Sequence, residues 1–300
     1  MIYLILAIIC SGSIALVFKY SESRDCNRYL VTFINYVTAS LISGFVFIKS
    51  GLKLPESFNG IIDATIANFN GNITPLGSVG ASVFLGIITG VLFLVSFLFY
   101  QKSINECGAS ISGMFSKMGI IIPVIFSIFI WNEMPSVIKW IGIAMSFSSI
   151  LIININPANI RESDFKPLLI LIFVLNGVAE FMNKIFQKYA IVDYKNLFLL
   201  IVFFTAAILS LILLYKYREL GFNRLGFIAG LCAGIPNMFS SFFIIDALKT
   251  IEAAVVYPIF SAGSIVFILI MSYLLFKEVL SKKERFAALL TVVSMFIINM

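Results

Sequence analysis

Two charged residues fall in the middle of apolar runs long enough to cross a bilayer: Lys117 in the run 107–131 and Glu180 in the run 167–188. A charge at that depth costs several kcal/mol unless it is paired or faces water. Near the end of a helix a lysine can bend its stem toward the interface, but from mid-span that is much harder. Lys117 therefore calls for a buried partner or a polar cavity. Glu180 does not stand alone. Asn176, Glu180, Asn183, Lys184 and Gln187 follow the spacing i, i+4, i+7, i+8 and i+11, which places all five on one helical face. A polar stripe of that length does not face lipid, where its groups would lack partners. The expectation is that Glu180 and Lys117 face one central cavity and pair there. The plainer alternative is a hydrogen-bond ladder that only packs helices together. A carboxylate in a low-dielectric interior holds its proton more strongly than in water unless a cation offsets the effect, which makes Glu180 the candidate for proton coupling.

Further polar residues lie in the later apolar runs. Asn237 and Ser240 follow Pro236, where the missing N–H frees a carbonyl and can bend a helix. Tyr257, Ser261 and Ser264 lie at i, i+4 and i+7 on one face. These groups suit hydrogen bonding to a polar ligand and equally suit helix–helix contact. Asn35 and Tyr36 in the second run are weaker candidates of the same kind. Tyr100 and Asp246, near helix ends, read as interface markers.

Most enzyme chemistry has no foothold. The chain has no histidine, which removes the commonest proton shuttle and the usual zinc ligand. It has no GxxxxGK[ST] phosphate loop, and no serine stands beside a base. The four cysteines show neither metal nor disulfide spacing and read as small packing residues. No catalytic residue, metal or cofactor is expected. The net charge of +6 has no basic stripe with interleaved aromatics behind it, so nucleic acid is not an expected partner.

The elements that must position these residues follow from composition. Hydrophobic residues make up 60% of the 300 positions and charged residues only 12%, against about 25% charged in a soluble protein. Mean hydropathy is +1.04. The pattern predicts an all-α membrane protein of ten spans, at 2–18, 29–48, 82–100, 107–131, 136–154, 167–188, 196–215, 225–247, 253–276 and 283–300. The first lacks the basic start and small-residue cleavage site of a signal peptide and reads as a retained helix. Most connections are short, which makes neighbouring helices antiparallel. The stretch 51–79 reads as a surface loop with an interfacial turn near 61–69. The charged stretch NPANIRESDFK, at 156–166, reads as a linker.

The chain is written twice. Residues 106–154 and 252–300 both open on Glu and small residues. Both run through a long apolar helix to a second Glu (Glu133, Glu278), then reach a Ser (Ser136, Ser281) and a final apolar helix with Ser149 or Ser294 and Ile-Ile-Asn. The echo extends upstream. Thr38-Ala39 matches Thr205-Ala206, Gly12 and Lys19 match Gly177 and Lys184, and Gly86-x-x-x-Gly90 with Ser96 matches Gly230-x-x-x-Gly234 with Ser240. Small residues four apart form a groove that admits another helix closely. The expected organisation is a first five-helix repeat at 1–154, a linker at 155–166 and a second repeat at 167–300. Five is odd, so the second copy enters the membrane from the opposite side. Such inverted repeats are typical of secondary transporters, with the site near the midplane between the halves.

This arrangement resembles the drug/metabolite transporter superfamily, and its EamA-like branch most closely. The resemblance covers nearly the whole chain and rests on the architecture and the repeated Glu-x-x-Ser. Members often carry a proline in the helix before that Glu. Pro123 fits in the first repeat, whereas the second has Leu269 there and its proline earlier, at Pro258, so the two copies need not bend alike. The resemblance implies efflux or exchange of a small metabolite, such as an amino acid or an amphiphilic compound. With the residues above, it predicts a substrate-binding cavity from Lys117, Asn176, Glu180, Asn183, Lys184, Asn237, Ser240, Tyr257 and Ser261, with Glu133 and Glu278 as turn or gate residues. The expected setting is the cell membrane, multi-pass, with a small-molecule substrate and the lipid bilayer as partners, and with proton coupling and a homodimer as open options. The second reading is an accessory or binding membrane protein of the same fold that translocates nothing. Lysines and arginines crowd the loops after the odd-numbered spans, which taken alone puts both termini outside. The resemblance puts them inside. An even number of spans fixes only that the termini share a side.

Overall fold

The computed structural model describes residues 1–107, 109–154, 167–217, 221–277 and 281–298. The linker expected at 155–166 and Glu278 lie outside these residues. The described chain is helical: α1 (Ile2–Glu22), α2 (Arg28–Lys49), α3 (Ile61–Phe69), α4 (Pro75–Cys107), α5 (Ala109–Met118), α6 (Ile121–Trp131), α7 (Val137–Asn154), α8 (Pro167–Tyr189), α9 (Lys195–Lys216), α10 (Arg224–Ala247), α11 (Ala253–Phe276) and α12 (Lys282–Ile298). Among the described residues seven helices are long and apolar enough to cross a bilayer unaided: α1, α2, α4, α8, α9, α10 and α11. Two of the remaining three expected spans hold shorter apolar helical stretches, Phe115–Trp131, which is interrupted between α5 and α6, and Val137–Ile152. The third, α12, opens on Lys282, Lys283, Glu284 and Arg285, which shortens its apolar part.

Two differences from the sequence expectation have clear causes. The fourth span is not one helix. It breaks between α5 and α6 at Gly119 and Ile120, just before Pro123, whose ring removes an N–H from the first turn of α6. The equivalent α11 runs unbroken, with Pro258 inside it. The stretch 51–79 is also more than a surface loop. It contains α3, fastened by Asn68, which is fully buried. The Asn68 amide nitrogen donates to Ser78 Oγ at 3.2 Å and to the Tyr189 carbonyl at 3.1 Å, and its oxygen accepts from the Thr74 N–H at 2.8 Å.

The helices gather into two compact units. The first comprises Met1–Gly12, Val95–Phe181 and Thr250–Met300; the second comprises Ser13–Leu94 and Met182–Lys249. Each draws on both halves of the chain. In the first, α7 packs on α12, and α11 packs on α6, α7 and α12. Its α7–α12 seam carries two hydroxyl pairs, Ser146 with Ser294 at 2.8 Å and Ser149 with Thr291 at 2.7 Å. Ser149 and Ser294 are repeat equivalents, so the two bonds are one bond written twice.

In the second unit α2 packs on α9 and α10. Asn27 and Asn223 cap α2 and α10 in the same way, each side-chain oxygen accepting from two N–H groups of the first turn. The two glycine pairs are seated on the partner repeat's helix. Gly230 and Gly234 of α10 lie on α2 at Ile34 and Thr38, and Gly86 and Gly90 of α4 lie on α9 at Ile201 and Thr205. A Cβ on Gly230 would come within 2.9 Å of the Val31 carbonyl oxygen, and one on Gly86 within 3.2 Å of that of Phe198.

Candidate functional site

In the first unit, α5, α8 and α11 meet where Lys117, Glu180, Tyr257 and Ser261 lie. The meeting depends on two glycines. A Cβ on Gly119 would stand 2.7 Å from the Phe173 carbonyl oxygen and 2.9 Å from the Gly177 nitrogen, so any larger residue would push α8 away from the α5–α6 break. Lys117 lies two residues before Gly119, and Glu180 almost one turn after Gly177. The Glu180 carboxylate is within electrostatic range of the Lys117 ammonium, and both side chains are half-buried.

α11 closes this cluster through its Tyr–Ser face. The Tyr257 hydroxyl donates to the Glu180 carbonyl at 2.7 Å, and the Ser261 hydroxyl donates to the Lys117 carbonyl at 3.5 Å. Both side chains are buried. The ring of Phe181 stacks on Phe126 and lies tilted against Trp131, with centroids 5.1 and 5.7 Å away, which holds α6 to α8 beside Glu180. Asn176 is in the same unit, but its amide donates to the Ile172 carbonyl one turn back, at 2.9 Å. At the repeat position of Lys117 stands Gly263, against Ile8 and Met295. The cation belongs to one repeat only, and its equivalent has become a packing point.

Asn183, Lys184, Asn237 and Ser240 of the expected set fall in the second unit. α8 is one unbroken helix, with Asn176 and Glu180 in the first unit and Asn183, Lys184 and Gln187 in the second. Asn183 and Lys184 are buried there. Ser240 is also in the second unit and buried. Asn237 donates through its amide to Asn35 Oδ1 at 3.1 Å, joining α10 to α2. Glu133 ends its own helix and caps another. Asn132 before it adopts φ 54°, and its carboxylate accepts from the Ala253 N–H, the first of α11, at 3.1 Å. The adjacent Glu252 pairs with Lys139 at 3.1 Å. Lys277, before Glu278, has φ 56°, so the two copies terminate alike.

One charged pair escaped the sequence reading. Asp246, near the end of α10, is buried in the second unit, bonded to Lys195 and 3.2 Å from Lys249. The Lys195 ammonium also sits 3.5 Å from the centroid of the Phe242 ring. The available signal was a lysine opening one apolar helix and an aspartate closing the next.

Among the described residues no three His, Cys, Asp or Glu side chains are placed to hold a metal. The cluster at Lys117 brings together one cation, one carboxylate and two hydroxyls, each hydroxyl donating to a main-chain carbonyl. The family model of the EamA-like transporters matches residues 1–155 and again 167–300.

The chain belongs to the EamA-like transporter family.

Membership makes it a membrane transporter of the drug/metabolite transporter superfamily, with two repeats and multi-pass insertion. This EamA-like chain is 25% identical over 284 residues to an uncharacterised protein of Haemophilus influenzae, covering 93% of this chain and 91% of that one. A solved crystal structure shares its fold at a TM-score of 0.72, with 13% identity, over 99% of this chain and 94% of the other.

Proposed function

We propose that this protein is a secondary transporter of the cell membrane that moves a small polar or amphiphilic metabolite by alternating access, as efflux or exchange, with Lys117 and Glu180 as its binding charges. The observation that carries this reading is the convergence of Lys117, Glu180, Tyr257 and Ser261 on three helices from two repeats. A mid-membrane ion pair is costly to bury. A substrate that offers both pairing charges can replace the internal partner of each residue and so couple its own binding to movement of the helices that carry them. Glu180 is the proton-coupling group of this proposal. When the carboxylate takes a proton, Lys117 loses its counter-charge, which links proton and substrate occupancy.

The accessory reading keeps the same fold without translocation. Two apolar grooves, about 500 and 230 Å³, lie in the second unit. Vesicle flux separates the two readings. Purified protein is reconstituted and screened with amino acids and small amphiphiles, with and without a pH gradient. Gradient-dependent flux that is lost in Glu180→Gln and Lys117→Ala supports the proposal. Flux that survives both substitutions removes the site, and uptake of no compound by folded protein favours the accessory reading.

A further inference from the structure

The short helix α3 presents an apolar face that is held rigidly outward. Its inner side is locked to α4: the Thr65 hydroxyl lies where a Cβ on Gly80 would go, and Asn68 with the Ala64 carbonyl lies where one on Gly77 would go. Its outer side carries Ile62 and Ile66, one turn apart and 72% and 54% exposed. Beside them on α4 stand Phe84 and Ile87, 55% and 47% exposed. Between the two helices runs a groove of about 500 Å³, floored by Phe69 and Val83. The one hydroxyl lining it, on Thr65, already donates to the Ile61 carbonyl at 2.6 Å. The lining is otherwise apolar side chain.

α4 is long and apolar enough to cross a bilayer, and Phe84 and Ile87 lie on its exposed side. The groove is continuous with that surface. A helix with one apolar face, an exposed acid (Asp63) and asparagines at its end suits the boundary between headgroups and acyl chains.

We propose that the α3–α4 groove seats one acyl chain of a membrane phospholipid, and that the lipid is held there and not merely exchanged with the surrounding bilayer. The test replaces Trp131 and Trp140 by Phe and introduces a single reporter, Ile66→Trp or, in a second variant, Ile62→Trp. Ile212→Trp on α9, at a position 61% exposed, reports on ordinary lipid contact. Each variant is reconstituted in phosphatidylcholine brominated at mid-chain, then extracted and washed in detergent. The expected result is strong bromine quenching of the α3 reporters in vesicles, little quenching by aqueous iodide, and retention of most of the bromine quenching after washing, while Ile212→Trp recovers its emission. Recovery of the α3 reporters in step with Ile212→Trp would reduce the groove to ordinary lipid contact. Iodide quenching of the α3 reporters in vesicles would place α3 in water. Either result overturns the proposal.

Discussion

Gly234 of α10 lies so close to Thr38 of α2 that a Cβ on the glycine would stand 2.5 Å from the Thr38 Cβ. The mirror joint sets Gly90 of α4 against Thr205 of α9, where the corresponding distance is 2.7 Å. Two separate echoes in the sequence, the repeated small-residue pair and the repeated Thr-Ala, are the two sides of one joint exchanged between repeats. In lipid such contact is a leading source of helix association, since apolar side chains gain little by leaving an apolar solvent.

Enlarging either glycine should therefore loosen its joint. Gly234→Leu and Gly90→Leu are each expected to destabilise the protein by about 1–3 kcal/mol through overpacking. Thermal melting in detergent reads this. A melting point unchanged in both variants would remove the joints as determinants of stability.

The α7–α12 hydroxyl pairs should be weak and equal. Ser146→Ala and Ser149→Ala are each expected to cost about 0.6 kcal/mol, the scale of interhelical hydrogen bonds in membranes. Double-mutant cycles with Ser294→Ala and Thr291→Ala measure the coupling. Cycles that differ by several-fold would break the equivalence of the two bonds.

Lys195 and Asp246 stand at the wrong ends of their helices. A cation opens α9 and an anion closes α10, each disfavoured by its own helix dipole. Their side chains are only 10% and 9% exposed. Asp246→Ala strands the Lys195 ammonium and is expected to cost about 3–5 kcal/mol. Lys195→Met should cost less, because Lys249 still faces the carboxylate. The double change Lys195→Met with Asp246→Leu should recover most of the loss. A chemical or thermal melt that ranks the three otherwise would show that the pair is not the source of the effect.

Glu133 holds the first turn of α11. Glu133→Ala is expected to cost about 1 kcal/mol as a lost cap, with Glu133→Gln retaining part of it through its amide oxygen. Cysteine accessibility at the start of α11 would report the fraying. Equal behaviour of the two variants would mean that the carboxylate is not acting as a cap.

Period along single helices was legible in the sequence. The polar face of α8, the Tyr–Ser face of α11 and the paired glycines could be read from spacing, because a helix fixes which residues share a side. Lys117, read as the middle of one long helix, stands instead in the last turn of α5. Partners between helices were not legible. Asp246 reads as a boundary residue because nothing in its own helix announces Lys195. Pro123 did not announce the α5–α6 break, since Pro236 and Pro258 sit inside unbroken helices.

Because each compact unit takes helices from both repeats, synthesis imposes a wait. When α7 leaves the ribosome its hydroxyl seam has no α12 to meet, and α2 has neither α9 nor α10. The first half of the chain must stay in the bilayer with its polar contacts open until the second half arrives. A nascent chain in that position is a natural client for insertion machinery and quality-control proteases. The two halves should accordingly be unstable when made singly and protect each other when made together.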